Sequence, residues 1–184
     1  MRLFLGTFLN KEFVEKIPFD DIQKSFEGDL KPIKKENIHM TWLFIGSVDN
    51  ENLKQTGMPF PYEIVEKHLD SFKNLVFTSN SLELWPPKRP PRLVVLAGKL
   101  NQVVSWTSLA NDIQRICSPD VKDNFLPHIT IARFKKDKTV TKQSILPKVE
   151  NIVWKIKEVS LIDSILTSEG PVYKKIKNWE FKSE

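Results

Sequence analysis

The sequence predicts an α+β fold, and three observations predict it. Runs with the two-residue alternation of strands are interspersed with runs whose apolar residues recur at helical spacing. They never settle into the steady strand–helix alternation of a doubly wound parallel sheet. The chain closes on two strand-like runs joined across a tight turn, the mark of an antiparallel hairpin. Its 184 residues, 40% hydrophobic and 28% charged, suffice for one well-filled core, so 1–184 is expected to form a single domain with two lobes.

Taken in order, "RLFLGTFL" from Arg2 alternates well enough for a first strand. Residues 11–26 carry helical spacing, but Pro18 lacks the amide hydrogen that a helix interior needs and interrupts them. Residues 38–48 read as a strand and "VDNENLKQ" as a turn with a short helical piece. "PYEIVEKHLDSFKNL" (61–75) starts on a proline and predicts a helix. Two strands follow, 75–85 and 92–100, joined by the stiff loop "PPKRPP", which is too closely flanked to be a domain linker. Residues 102–118 predict a second helix, with Cys117 in its packing. "HITIARF" (128–134) is a strand, and 135–150 is a charged, poorly patterned loop. The closing hairpin runs from "EVSLIDSILTS" to "PVYKKIKNWEF" across "EGP".

Composition narrows the function classes. A single cysteine excludes an internal disulfide and fits a reducing cytoplasm. The apolar opening is short, meets Lys11 and Glu12, and has no cleavage signature, so it reads as a strand rather than a signal peptide. No run approaches the roughly 18 apolar residues of a membrane span. A cytoplasmic monomer with no membrane partner is expected. The net charge of +5 is a moderate excess, and its distribution says more. Lys31, Lys34 and Lys35 precede one histidine, while Arg133, Lys135, Lys136 and Lys138 follow another. Further groups are Lys88, Arg89 and Arg92, and Lys174, Lys175 and Lys177. A charge run is usually a solvated face, yet two of these flank histidines in an unusual setting and point to a phosphate-bearing partner.

That setting is the informative part. "NIHMTWLFIG" (37–46) and "LPHITIARF" (126–134) each place a histidine and a threonine two positions apart in an apolar strand. Side chains alternate along a strand, so His39 and Thr41 share a face opposite Met40 and Trp42. His128 and Thr130 likewise share a face opposite Ile129 and Ile131. A buried imidazole or hydroxyl without a partner costs on the order of 1–3 kcal/mol. One such pair alone reads as structural. Two of only three histidines followed by apolar-Thr-apolar has chance odds on the order of 1 in 5,000. If the strands lie side by side with polar faces turned into one cleft, the partner of both pairs is a bound anion.

Two imidazoles with unperturbed pKa near about 6.5 can divide between acid and base at neutral pH. In-line displacement at phosphorus needs that division: one group activates the incoming oxygen and the other protonates the leaving oxygen. Threonine hydroxyls would donate to the nonbridging oxygens as charge develops. This chemistry requires no metal and no cofactor. Rival motifs are absent: no HExxH or Cys/His zinc spacing, no P-loop, and no nucleophile elbow. His68 reads as a partly exposed helix residue, and Asp20 and Asp21 as helix-surface acids.

With these motifs the chain resembles the two-histidine (2H) phosphoesterases, and among them the RNA 2′,3′-cyclic phosphodiesterases, also called 2′-5′ RNA ligases (LigT/ThpR-like). The resemblance covers nearly the whole length. It rests on "RLFLGTFL", "ENIHMTWLFIGSV", "PPKRPPRLVVLAG", "FLPHITIARF" and the end hairpin through "VYKKIKNW". It implies a bilobal fold of two antiparallel sheets forming a central cleft, with helices outside. The implied reaction opens a 2′,3′-cyclic phosphate at an RNA 3′ end to a 2′-phosphate, with 2′-5′ ligation as its reverse.

Carried over by position, His39 and His128 are the acid–base pair, with the division of roles left open by residue identity. Thr41 and Thr130 are phosphate donors, Phe44 stacks a base, and Arg133 binds phosphate. Strict alternation would send Phe44 and Arg133 to the face away from the histidines, so the strands are expected to bulge or twist there. Trp42 and Ser47 depart from the family pattern. Two other readings remain: a phosphodiesterase for small cyclic phosphates or 2′-5′ oligonucleotides, and a non-catalytic RNA-end-binding protein.

Overall fold

The computed structural model describes residues 1–26, 29–48, 62–102, 106–116, 125–135, 146–168 and 170–181. Its elements run β1 (Arg2–Phe8), α1 (Lys11–Glu15), α2 (Phe19–Lys24), β2 (Leu30–Pro32), β3 (His39–Ser47), α3 (Tyr62–Lys67), β4 (Val76–Trp85) and β5 (Leu93–Leu100). There follow α4 (Trp106–Ile116), β6 (His128–Phe134), β7 (Val153–Lys155), β8 (Glu158–Thr167) and β9 (Gly170–Glu180). Short 3₁₀ turns stand at Lys35–Asn37 and Leu69–Phe72. The mixture of helices with antiparallel strands is the α+β class expected. The body of the turn expected at 48–55, Cys117, and most of the charged loop lie outside the described residues.

Local chemistry accounts for the helix boundaries. The Asn10 side chain accepts from the Phe13 amide at 2.8 Å and caps α1, and Pro18 divides α1 from α2. The helix expected over 61–75 is shorter. It tightens into i→i+3 bonds, His68 amide to Val65 carbonyl and Ser71 amide to His68 carbonyl, and ends where Asn74 takes a left-handed φ of 58°. That turn carries Phe72 and Leu75 into the core. His68 leaves the helix face to meet the Asp112 carboxylate of α4 at 3.1 Å.

The nine strands among the described residues join one antiparallel sheet in the order β7-β4-β5-β6-β3-β1-β8-β9, with β2 on the free edge of β6. The two sheets expected are thus halves of one sheet. β7, β4, β5 and β6 form one half, and β3, β1, β8 and β9 the other. The halves meet where Met40 of β3 pairs Ile129 of β6, and both residues are fully buried. Past that pair β2 takes over the β6 edge, through Lys31↔Arg133 and Pro32↔Ala132. The halves splay there, leaving a cleft on the face away from Met40 and Ile129. The three-residue strands β2 and β7 are too short for alternation to announce them.

Each central strand carries one extra residue between its histidine and the residue five positions on, and β3 a second, Ile45, beyond Phe44. Leu5 pairs Leu43 and Gly6 pairs Thr41, so Trp42 is left over in β3. Val94 pairs Ala132 and Val95 pairs Thr130, so Ile131 is left over in β6. Both sit three residues after a histidine and both are buried. A one-residue bulge reverses the alternation beyond it. Phe44 and Arg133 are thereby returned to the face of His39 and His128, as the sequence required. Trp42, only 1% exposed, is held by packing against Phe72 and Phe125. Its indole N–H donates to the Thr7 hydroxyl at 2.7 Å, and that hydroxyl donates to the Glu158 carbonyl at 2.7 Å.

Candidate active site

The junction of the two halves brings both His-x-Thr segments together. The shared pair Met40–Ile129 is flanked on β3 by His39 and Thr41 and on β6 by His128 and Thr130. The placement about that pair is symmetric along the two strands, each with a histidine one residue before it and a threonine one residue after. All four side chains line one cleft of about 510 Å³, together with Phe44 and Arg133. Every site residue named from the sequence therefore lies on this cleft.

The two histidines are held the same way. His39 Nδ1 lies 2.7 Å from the Asn37 carbonyl oxygen, and His128 Nδ1 lies 2.7 Å from the Leu126 carbonyl oxygen. A carbonyl only accepts, so each Nδ1 carries the hydrogen and donates it. In the neutral ring Nε2 then keeps its lone pair, available to take a proton from a group in the cleft. The backbone two residues upstream of each histidine thus selects its tautomer.

Aromatic rings fix the imidazole planes. Tyr173 meets His39 edge-on at 4.9 Å, and Phe4 and Phe8 lie at 5.0 and 5.7 Å. Trp85 packs on His128 at 4.6 Å, its indole N–H tied to Glu83 at 2.8 Å. Gly6 is what lets Phe4 approach: a Cβ there would come within 2.9 Å of the Phe4 ring and 3.0 Å of the Met40 carbonyl. Phe44 is 43% exposed, so it is not a core residue. The Arg2 guanidinium lies over its ring, 5.1 Å from the centroid.

Electrostatics keep both imidazoles toward the neutral form in the free protein. Burial pushes the His39 pKa below the ordinary histidine value. The Asn37 carbonyl opposes that shift, while the Arg133 guanidinium and His128 add to it. Burial also lowers His128, opposed by the Leu126 carbonyl. Burial raises the Tyr173 phenol, against the attraction of Arg133 and Arg2. An anion in the cleft would reverse the histidine shifts by stabilising imidazolium. Among the described residues no cluster of three or more His, Cys, Asp or Glu is placed to hold a metal ion, and no helix is long and apolar enough to cross a membrane.

Sequence reasoning missed Arg2, Phe4, Asn37 and Tyr173, which line the cleft, and Trp85, which braces His128. Asn37 acts through its carbonyl, where residue identity leaves no signal. The others come from strands whose placement beside the motifs is a tertiary fact. The one available hint was an aromatic, Tyr173, in a hairpin otherwise rich in lysine.

No family model matches the chain. Curated relatives do. The chain is 28% identical over 188 residues to an RNA 2′,3′-cyclic phosphodiesterase of Methanocaldococcus jannaschii, covering 97% of this chain and all of that protein. It is 29% identical over 188 residues to a protein of the same name from Aquifex aeolicus, covering 94% and 93% of the two chains. Among solved structures the crystal structure of E. coli LigT in apo form superposes with a TM-score of 0.67 at 22% identity, over 97% of this chain and 96% of that one.

Proposed function

We propose that the chain is a two-histidine phosphoesterase of the LigT-like, RNA 2′,3′-cyclic phosphodiesterase kind, a reading supported by its similarity to curated relatives of that name over nearly its whole length. On that premise it hydrolyses 2′,3′-cyclic phosphate ends of RNA to 2′-phosphates by metal-independent acid–base catalysis, as one catalytic unit over 1–184. The observation that carries this reading is the pair of His-x-Thr segments turned into one cleft across the Met40–Ile129 junction.

The chemistry follows from that pairing. The bound cyclic phosphate, one negative charge, draws a proton onto one imidazole while the other stays neutral. The neutral Nε2 takes a proton from water as its oxygen attacks phosphorus. The imidazolium, on the other side of the phosphorus, gives its proton to the departing ribose oxygen. One P–O bond forms and one breaks. The product is a phosphomonoester and a free hydroxyl, and the histidines return to their starting state by proton exchange. Thr41 and Thr130 donate to the nonbridging oxygens, and Arg133 meets the charge that grows on them. Phe44 stacks the terminal base and so fixes which ester oxygen lies in line.

The test is incubation of an oligoribonucleotide bearing a 2′,3′-cyclic end with the protein in excess EDTA, beside the His39→Ala and His128→Ala variants. Turnover by wild type and its loss in both variants is expected. Turnover that EDTA abolishes, or that either variant retains, overturns the reading.

A further inference from the structure

One basic cluster of the sequence has no part in the chemistry above. Lys31 lies in β2, the strand that occupies the β6 edge where the halves splay, and stands directly across from Arg133. Like charges directly opposite on neighbouring strands repel. Lys34 follows just beyond the strand and is exposed. None of the three cations makes an ion pair among the described residues.

These three cations line a second, smaller pocket of about 160 Å³ beside the cleft. The two pockets share Ile33, Asn37, Arg133, Pro171 and Tyr173, so Arg133 stands on the wall between them. No carboxylate lines the second pocket among the described residues. Its other wall is apolar, formed by Pro171 and Val172 of β9, and Val172 is 51% exposed. Unpaired cations facing an apolar wall match a phosphate joined to a sugar and base. The surface is also continuous with the one that holds the reacting phosphorus.

We propose that this pocket is a second anion subsite, which takes the internucleotide phosphate immediately upstream of the terminal nucleotide. The substrate is then an oligoribonucleotide end rather than a cyclic mononucleotide. The inference rests on the phosphodiesterase reading of the cleft. A cyclic mononucleotide reaches only the cleft. A longer chain leaves the terminal ribose through its 5′ oxygen with one further negative charge, and that charge relieves the repulsion between Lys31 and Arg133. A free inorganic anion would satisfy the cations and leave the apolar wall bare.

The test measures kcat/KM for three substrates: a 2′,3′-cyclic mononucleotide, a trinucleotide with the same cyclic end, and that trinucleotide with its last internucleotide phosphate replaced by a neutral methylphosphonate. Wild type is compared with the Lys31→Ala/Lys34→Ala double variant. Wild type should favour the natural trinucleotide by about tenfold or more. Methylphosphonate and the double variant should each remove most of that preference, while cyclic mononucleotide turnover stays within about twofold. The dependence of log KM on log salt should be shallower in the variant by about 1.

A preference that survives in the double variant overturns the proposal. So does a parallel loss of mononucleotide turnover, which would place the lysines in catalysis or folding. A methylphosphonate trinucleotide as good as the natural one also overturns it, and would mark the pocket as a site for free anions. If wild type turns over none of the substrates, the phosphodiesterase reading alone fails. Fluorescence anisotropy with a 5′-labelled trinucleotide ending in a 3′-phosphate then decides the subsite: weaker binding by the double variant supports it, and equal binding overturns it.

Discussion

Phe44→Ala separates a substrate platform from a packing residue. Truncating a core phenylalanine costs about 3–5 kcal/mol. Phe44 is 43% exposed and the Arg2 guanidinium lies over its ring, so the stability loss should be about 1–2 kcal/mol. For a chain of this size that is a Tm shift of under about 8 °C. Stacking of a base on an aromatic ring is worth about 1–3 kcal/mol, which raises KM about 5- to 150-fold. The ring touches the base and not the phosphorus, so kcat should move less than KM. Steady-state kinetics on a cyclic-ended oligoribonucleotide, paired with a thermal melt, reads both quantities. Phe44→Trp, which keeps a stacking face, should restore KM. A large fall in Tm with KM unchanged, or no rescue by tryptophan, refutes the reasoning.

The other expectations are as follows. His39→Ala and His128→Ala should each lower turnover by about 100- to 10,000-fold while circular dichroism shows the fold intact; a variant with near-native rate removes that histidine from the mechanism. Burial lowers both imidazoles in the free protein, so both limbs of the bell in kcat/KM against pH should fall below about 6.5, and the kcat profile should lie at higher pH because the bound anion raises both; a displacement in the opposite direction contradicts this. For folding, the stability these groups contribute is complete above about pH 6.5. It is lost as pH falls through their lowered native values, because the unfolded state binds the protons first; chemical denaturation across that range checks the slope. Trp42→Phe removes the indole donor to Thr7 and should cost about 1–3 kcal/mol in urea denaturation with activity per folded molecule retained; unchanged stability would detach the bulge from this bond. Phosphorus NMR should show a single product isomer, the 2′-phosphate, whereas a 3′-phosphate or a mixture would overturn the orientation assigned to the ribose.

Much of the site was legible because its signals are local. The alternation of a strand is set by the backbone of two neighbouring residues, so "HMT" and "HIT" announced a shared face for each histidine and threonine without any knowledge of a partner strand. The need for a bulge was legible too, since Phe44 and Arg133 stand an odd number of positions after their histidines. Its place was not. Trp42 and Ile131 are the surplus residues only because β1 and β5 pair around them, and pairing joins residues far apart in the chain. The same reason hid Tyr173, which reaches His39 from the last hairpin, and β2, whose three residues are too few to show a period. Periodicity records which way each side chain faces; which strand lies next to which is decided by burial of the whole sheet, and the cleft exists because β3 and β6 part after one shared pair.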